Sequence, residues 1–262
     1  MDGLAMKIET ILTPTELPAL ARRDFRQTAC VVFDILRATS TFVTALHHGA
    51  AAIVPVSEIA EAVALRKQQP DILLAGERAG VRIRAAQAGG IDFNFGNSPR
   101  EFTPEKVRGQ TIVSTTTNGT RALRAGAGAK CVLSAAFLNL SATVAFLRRE
   151  NFVEILLVCA GTGENVARED VLAAGALIEL LAAREDGRVS LSDASQIALE
   201  AFTDLKLTDS GELSAALGDS QNGRRLLAIP ELRADVAFCA QRDVFDLVAR
   251  LDADGALRRM TV

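Results

Sequence analysis

Residues 30–46 read CVVFDILRATSTFVTAL, an apolar run that ends in an aspartate and continues into a segment with helical periodicity. An uninterrupted apolar run is typical of a strand that is covered on both faces, as in a parallel sheet with helices on either side. The segment at 39–48 then favours a helix that packs back onto that sheet. This strand-to-helix unit predicts an α/β fold.

The same alternation of apolar runs and helical segments continues along the chain. We expect strands at 30–34, 51–56, 72–75, 111–114, 130–134, 153–159 and 235–239, and helices at 39–48, 58–69, 118–126, 140–150, 169–184, 192–204 and 223–228. This order favours a three-layer α/β/α architecture with a largely parallel sheet, formed by residues 1–262 as a single domain. A strand, a hydroxyl-rich turn, a helix and a glycine recur at an offset of 79 to 80 residues, which leaves open two similar βαβ-containing halves.

The composition argues against several classes of protein. The net charge is −3 and the chain has no tryptophan or tyrosine, so we expect no nucleic-acid partner. No apolar run reaches the ~20 residues that a membrane span needs, and the first residues do not have the pattern of a signal peptide. The four cysteines lie far apart beside apolar runs, which predicts buried thiols rather than a zinc site. The cytoplasm is therefore the expected location.

Polar residues follow the first predicted strand, at the end where open α/β sheets bind ligands. Asp34 ends the strand, Arg37 comes three residues later, and Thr39, Ser40 and Thr41 open the helix. A carboxylate can hold a hard cation, an arginine can bind an oxyanion, and a helix start offers N–H groups to a phosphate. The sequence therefore predicts a site here that binds phosphate. The alternative interpretation of the same residues is a surface aspartate followed by an ordinary Ser/Thr helix cap.

A second hydroxyl-rich turn, STTTNGT at 114–120, follows the predicted strand 111–114. Glycine permits a tight turn, and successive N–H groups can form an anion-binding nest. The candidate substrate contacts of this turn are Thr115, Thr116, Thr117, Asn118, Gly119 and Thr120. Polar turns before helices are common, so the prediction depends on the likeness of this turn to the one that follows the first strand.

Further carboxylates and polar residues follow other strands. Glu77 and Arg78 come after the third strand, and Asn97 and Ser98 precede a proline. We expect Arg78, Asn97 and Ser98 to contact the substrate, although a helix N-cap is the alternative interpretation of Ser98. Acidic residues also open the helix after the sixth strand, where they could merely complement the helix dipole. An oxygen-rich, histidine-poor set of ligands suits Mg²⁺. The candidate metal ligands are Asp34, Glu77, Glu169 and Asp170.

Other catalytic designs are excluded by single residues. The segment CAGTGEN at 159–165 looks like the loop of a thiol phosphatase, but Asn165 stands where that loop requires arginine. No Walker A sequence is present. His47 and His48 are adjacent, and two adjacent histidines cannot supply the usual ligand set of zinc. We therefore expect neither a thiol nucleophile nor a catalytic histidine.

The chain resembles the 2-phosphosulfolactate phosphatase family over about residues 30 to 240. The segments that carry the resemblance are VVFDILRATSTFVTAL, LLAGERAG, FNFGNSP, TTTNGTRAL, AAFLNLSA, CAGTGENVAREDVLAAG, SQNGRRL and DVAFCA. The resemblance implies a three-layer α/β/α fold and Mg²⁺-dependent removal of phosphate from (R)-2-phospho-3-sulfolactate, a step in coenzyme M biosynthesis. It favours Asp34, Arg37, Glu77, Asn97, Thr117, Asn118 and Asp170 as site residues. One departure is the long, arginine-rich segment VRIRAAQAGGID at 81–92, which could alter the substrate pocket.

Two functions from different classes remain open at this stage. The first is a phosphatase that acts on a small acidic phosphate monoester. The alternative is a non-catalytic protein that binds a small anion or metabolite with the same loops. Carboxylates at strand ends favour the enzyme, because a protein that only binds anions gains nothing from negative charge there. The expected partner is a small-molecule phosphoester, and a homodimer is left open.

Overall fold

The computed structural model describes residues 6–183, 189–207 and 209–260, and this part of the chain contains one sheet of eleven strands. The strands in chain order are β1 (Met6–Ile11), β2 (Thr28–Phe33), β3 (Ala52–Pro55), β4 (Leu73–Arg78), β5 (Val81–Arg82), β6 (Thr111–Thr115), β7 (Cys131–Ala135), β8 (Glu154–Cys159), β9 (Val189–Leu191), β10 (Val248–Leu251) and β11 (Leu257–Met260). Their order across the sheet is β5-β4-β6-β3-β11-β10-β7-β2-β8-β1-β9.

Two parallel blocks make up most of this sheet. One block contains β4, β6 and β3, and the other contains β7, β2, β8, β1 and β9. The hairpin of β10 and β11 joins the blocks through antiparallel pairings, and β5 lies antiparallel on β4. The predicted largely parallel sheet is therefore confirmed. Every residue of β2 is buried, which explains why its sequence is apolar without alternation.

Helices flank the sheet, as the predicted three-layer α/β/α arrangement requires. Those of the described residues are α1 (Leu17–Leu20), α2 (Ala38–His47), α3 (Ile59–Gln68), α4 (Pro104–Val107), α5 (Gly119–Ala125), α6 (Leu140–Glu150), α7 (Arg168–Ala182), α8 (Asp193–Thr203), α9 (Ser210–Gly218), α10 (Gln221–Leu227) and α11 (Arg233–Cys239). None of these helices is long and apolar enough to cross a membrane. The predicted helix 169–184 is α7, although its last predicted residue lies outside the described residues.

Two strand–helix–strand units cross between the blocks, and they correspond to the recurrence in the sequence. Helix α2 leads from β2 to β3, and α5 leads from β6 to β7. The two helices begin side by side, because a Cβ atom at Gly119 would lie 2.6 Å from the Cβ atom of Ala38 and 2.6 Å from Oδ2 of Asp34. Only glycine permits this approach. The carboxyl ends of β2 and β6 therefore meet although the strands belong to different blocks.

The predicted strand 235–239 is wrong, because this segment is the carboxyl-terminal part of α11. Its buried residues are Asp235, Val236 and Cys239, a spacing that places them on one face of a helix. A five-residue apolar run is too short for periodicity to separate a strand from a buried helix.

Candidate active site

A cleft of about 400 Å³ lies where the carboxyl ends of β2, β4, β6 and β8 come together. The predicted site residues on its walls are Asp34, Arg37, Glu77, Asn97, Thr117 and Asn118. The remaining lining residues are Leu36, Ala79, Gly80, Gly161, Thr162, Gly163, Asn165, Gln221, Asn222, Arg225 and Leu226. The cleft thus combines both hydroxyl-rich turns with the loop after β8 and with helix α10.

Asp34 caps helix α2 and also faces the cleft. Its Oδ1 atom accepts a hydrogen bond of 3.0 Å from the Ala38 N–H, and its carbonyl oxygen accepts one of 2.9 Å from the Thr39 N–H. The carboxylate remains partly exposed to the cleft. Burial, with the nearby charges of Glu77 and Glu169, raises the pKa of Asp34 to about 7, although the Ala38 N–H opposes this rise. The two interpretations of this residue, a helix cap and a site carboxylate, are therefore compatible.

Glu77 ties two walls of the cleft together. Its Oε1 atom accepts hydrogen bonds of 2.9 Å from both the N–H and the hydroxyl of Thr117, at the end of β6. Its Oε2 atom accepts one of 2.7 Å from the Gly80 N–H, in the turn between β4 and β5. Both oxygens of this carboxylate are therefore occupied by groups of the protein.

Asp170 and Glu169 lie in the first turn of helix α7 and differ in the hydrogen bonds that their oxygens accept. Asp170 accepts hydrogen bonds of 2.8 Å from the Ile35 N–H and 3.0 Å from the Gly161 N–H. Burial raises the pKa of Asp170 well above its ordinary value, and the nearby Glu169 and Asp34 add to the rise. Glu169 accepts a hydrogen bond of 2.6 Å from Nδ2 of Asn222 at Oε1, whereas its buried Oε2 atom has no partner.

The described residues do not form a ready-made metal cage, since no group of three or more histidine, cysteine, aspartate or glutamate side chains could by itself hold an ion. They do leave hard oxygen acceptors without donors beside the cleft. Besides Oε2 of Glu169, the buried Oδ1 atom of Asn118 has no hydrogen-bond partner. Together with the partly exposed carboxylate of Asp34, these atoms are candidate ligands of a cation, although Glu169 is not itself among the described residues that line the cleft. Buried acceptors without donors are costly unless something binds them.

Arg37 is buried and held by a second buried charge. Its Nη1 atom donates a hydrogen bond of 2.7 Å to Oδ2 of Asp235, and Nη2 donates one of 2.8 Å to the Gly80 carbonyl. The other oxygen of Asp235 accepts a hydrogen bond of 2.7 Å from the Ser98 hydroxyl. Arg37 still lines the cleft, so its guanidinium group is fixed in place at the wall.

Several predicted substrate contacts lie outside the cleft lining, because their side chains bond to the protein itself. The hydroxyls of Thr39, Ser40, Thr41 and Thr120 donate to backbone carbonyls of the turns around them. Those of Thr115, Thr116 and Ser98 also have partners within the protein, and Gly119 lies at the contact between α2 and α5. The structure gives these residues a role in shaping the walls.

Arg78 and the arginine-rich segment also lie away from the cleft lining. Arg78 donates a hydrogen bond of 3.0 Å to the hydroxyl of Thr115 and one of 2.8 Å to the Glu77 carbonyl. In the segment 81–92, Arg82 donates to the Asn94 carbonyl and Ile83 is buried in a small apolar cluster. Neither Arg78 nor the arginines of this segment are among the described residues that line the cleft.

Helix α10 supplies cleft residues that the sequence analysis missed. Asn222 donates hydrogen bonds of 2.6 Å to the hydroxyl of Thr162 and 2.6 Å to Glu169, so it joins α10 to the loop after β8 and to the start of α7. Arg225, one turn further along the helix, lines the cleft as well. The segment SQNGRRL at 220–226 is one of those that carry the family resemblance, but no strand precedes it, and the sequence predicts only a short helix at 223–228 there.

Cys159 ends β8 close to the cleft but is unsuited to nucleophilic attack. All four cysteines are buried and free of disulfides, as the sequence predicted. Burial raises the pKa of the Cys159 thiol well above its ordinary value, and the neighbouring Asp170 adds to the rise. A thiol in such surroundings does not ionise near neutral pH.

Replacing Cys159 with serine should therefore leave kcat/KM within about fivefold of wild type, because no thiolate takes part. The measurement is phosphate release by the purified variant, with circular dichroism as the check on folding. A folded variant that has lost several orders of magnitude in activity would contradict the prediction and point to a thiol nucleophile.

Comparison with known proteins gives one family. The model of the 2-phosphosulpholactate phosphatase family matches residues 12–254. A probable 2-phosphosulfolactate phosphatase of Caldanaerobacter subterraneus is 38% identical over 234 residues, which cover 87% of this chain and 90% of that protein. Proteins with the same name from Thermotoga maritima (39% identical; 84% of this chain, 88% of that protein) and Carboxydothermus hydrogenoformans (34%; 93% and 92%) are also similar.

Proposed function

The chain belongs to the 2-phosphosulfolactate phosphatase family of phosphoric monoester hydrolases, and on this premise we propose that it hydrolyses (R)-2-phospho-3-sulfolactate to sulfolactate and phosphate with Mg²⁺ in the cleft. The names of the relatives supply the substrate. The observation that carries the Mg²⁺ requirement is the excess of carboxylate charge around Asp34. In the cell the reaction would be a step in coenzyme M biosynthesis.

The charges around the cleft support a requirement for a cation. The carboxylates of Asp34, Glu77, Glu169 and Asp170 lie close enough to influence one another. The one buried guanidinium group on the cleft wall, that of Arg37, already forms an ion pair with Asp235 among the described residues. Ionising these carboxylates is unfavourable, as the raised pKa values of Asp34 and Asp170 indicate, and a phosphate dianion would add to the repulsion between them. A divalent cation between carboxylates and phosphate converts the repulsion into attraction.

The free oxygens fit Mg²⁺ better than the full set of four carboxylates does. The carboxylate oxygens of Glu77 and Asp170 already accept hydrogen bonds from N–H and hydroxyl groups of the protein. We therefore assign the metal to Asp34 and Glu169, with the amide oxygen of Asn118 as a third ligand. Mg²⁺ usually keeps several waters and binds to one or two carboxylates plus a substrate phosphate, which this set allows. When bound, it would offset the negative charge that develops on the phosphoryl oxygens.

The chain's own residues then hold the phosphoryl group for hydrolysis. Arg37, fixed by Asp235 and by the Gly80 carbonyl, presents its remaining N–H donors to the phosphoryl oxygens. Glu77 keeps the turns at Gly80 and Thr117 in register, so that the walls on either side of the substrate stay at a fixed separation. Catalysis of phosphoryl transfer consists mainly of such positioning and charge neutralisation.

Removing divalent metal should abolish phosphate release, and adding Mg²⁺ or Mn²⁺ should restore it, because the available ligands are oxygens. The protein is dialysed against EDTA and desalted, and phosphate release is then measured with 2-phospho-3-sulfolactate and with other small phosphate monoesters. Circular dichroism before and after dialysis is the check that the protein stays folded. Full activity in the presence of the chelator would refute the metal requirement, and a metal-restored protein that releases phosphate from none of the esters would refute the proposed activity.

A further inference from the structure

Arg225 places an uncompensated positive charge at the cleft. Its side chain is exposed and lines the cleft from helix α10. Its Nη2 atom donates a hydrogen bond of 2.9 Å to Oδ1 of Asn222, and it forms no ion pair with any described carboxylate. Arg37 differs, because a buried aspartate neutralises it. An arginine that faces a binding cleft without a carboxylate partner has its full charge available to a ligand.

Arg225 lies close to the turn between β4 and β5 and also contacts its own helix. A Cβ atom at Gly80 would lie 3.9 Å from Cδ of Arg225, so the aliphatic stem of the arginine passes close to the turn between β4 and β5. The carbonyl of the same glycine accepts the hydrogen bond from Arg37. Gly80 thus lies close to both the buried arginine and the exposed one.

Asn222 fixes the separation between Arg225 and the carboxylates of the proposed metal site. The oxygen of its side-chain amide accepts from Arg225, and the nitrogen of the same amide donates to Oε1 of Glu169. One amide group therefore separates the free guanidinium group from a proposed ligand of the metal. A separation of one amide group is comparable to the length of a three-carbon acid. Such an acid could place its phosphate at the metal and a second acidic group at the arginine.

We propose that Arg225 binds the sulfonate of the substrate and so determines the preference for phosphoesters with a second, distal acidic group. This inference rests on the proposed function. The carboxylate of 2-phospho-3-sulfolactate is attached to the carbon that bears the phosphate, whereas the sulfonate is one carbon further away. The sulfonate is therefore the group that can reach the exposed arginine while the phosphate stays among the carboxylates and Arg37.

The test compares two substrates that differ only in this group, 2-phospho-3-sulfolactate and 2-phospholactate of matching configuration. Arg225→Gln should raise KM for the sulfonate substrate by about 10- to 100-fold, with kcat nearly unchanged, because a hydrogen bond to a charged group is lost. The kinetic constants for 2-phospholactate should change far less, because that substrate lacks the sulfonate. Arg225→Lys should recover part of the affinity, because it restores the charge without the planar donor geometry.

The matched control is Arg224→Gln, which removes the adjacent arginine of α10. Arg224 is exposed, bonds to the Asp219 carbonyl and lies outside the cleft lining, so its replacement should alter neither substrate's constants. An equal loss on both substrates in Arg225→Gln, or no loss on either, would overturn the assignment of the sulfonate to this residue.

A binding measurement keeps this inference separate from the proposed function. If the wild-type protein released no phosphate, the proposed activity would fail, but the affinities for 3-sulfolactate and lactate could still be measured by calorimetry in the same variants. Weaker binding of 3-sulfolactate alone in Arg225→Gln would support the sulfonate contact. Equal affinity of the wild type and the variant for 3-sulfolactate would overturn it.

Discussion

Replacing Asp34 with asparagine should lower kcat by about 100-fold or more while the protein stays folded, because the proposed metal loses an anionic ligand. The substitution keeps the shape of the side chain. The oxygen of the asparagine amide can still accept from the Ala38 N–H, which Oδ1 of Asp34 accepts at 3.0 Å, so the start of α2 is retained. The loss therefore reports on charge at the cleft, and it is measured by steady-state phosphate release at saturating Mg²⁺.

The same variant should be more heat-stable than the wild type at pH 8 when metal is removed. The pKa of Asp34 is raised from 3.8 to about 7, so between these values the folded state holds a proton that the unfolded state has released. Stability from this group is complete below the unfolded pKa and is lost as pH rises through the folded pKa. Asparagine does not titrate, so the difference in Tm between variant and wild type should shrink as the pH is lowered toward 4.

A helix cap outside the cleft provides the control. Asp209 accepts hydrogen bonds from the N–H groups of Gly211 and Glu212 at the start of α9. Asp209→Asn should change stability by at most about 1 kcal/mol and leave turnover intact. If Asp34→Asn behaved in the same way, Asp34 would be an ordinary cap, and the turn at 115–120 would become the leading candidate for the catalytic site.

The alternation of strands and helices was readable where the strands are almost wholly buried, as in β2, β7 and β8. Strands β1 and β9, which carry exposed residues, were not predicted. The hairpin β10–β11 was not recognised, although it joins the two blocks, because charged residues such as Arg250 and Arg258 interrupt its apolar pattern. The Asp254–Gly255 pair was its one local signal. The position of a strand within a sheet depends on pairings that are remote in sequence, and no local pattern encodes them.

Some cleft residues could likewise be predicted from the sequence, and others could not. Asp34, Glu77 and Asn118 could be placed together because each lies at or just after the carboxyl end of a strand, where such folds bind ligands. Which hydroxyls face the cleft could not be read, since most of them bond to the backbone of their own turns. Asn222 and Arg225 were missed because α10 follows no strand, and only packing brings it over the cleft.

Asp235 shows how a remote partner can decide the role of a residue. Asp235 binds Arg37, which is 198 residues away in sequence, and this ion pair explains why a carboxylate is buried within the apolar segment DVAFC. The side chains of this pair are 2% and 0% exposed. Breaking a buried ion pair by removing one partner leaves an unpaired charge without water, which is among the most destabilising changes that a single substitution can cause.

Asp235→Ala should therefore lower the free energy of unfolding by about 3–5 kcal/mol, measured by urea denaturation, and should also reduce activity. The control is Asp254→Ala, which removes an exposed partner of Arg258 and should lower the free energy of unfolding far less. A loss at Asp235 no larger than this control would contradict a buried, uncompensated charge at Arg37.

A double variant separates the structural role of the pair from its role at the cleft. Adding Arg37→Met to Asp235→Ala removes the unpaired guanidinium group, so the double variant should be more stable than Asp235→Ala alone. Phosphatase activity should not return with stability, because Arg37 lines the cleft and supplies the donors proposed for the phosphoryl oxygens. If activity recovered together with stability, the pair would matter only for folding, and the phosphoryl oxygens would have to be bound by other donors.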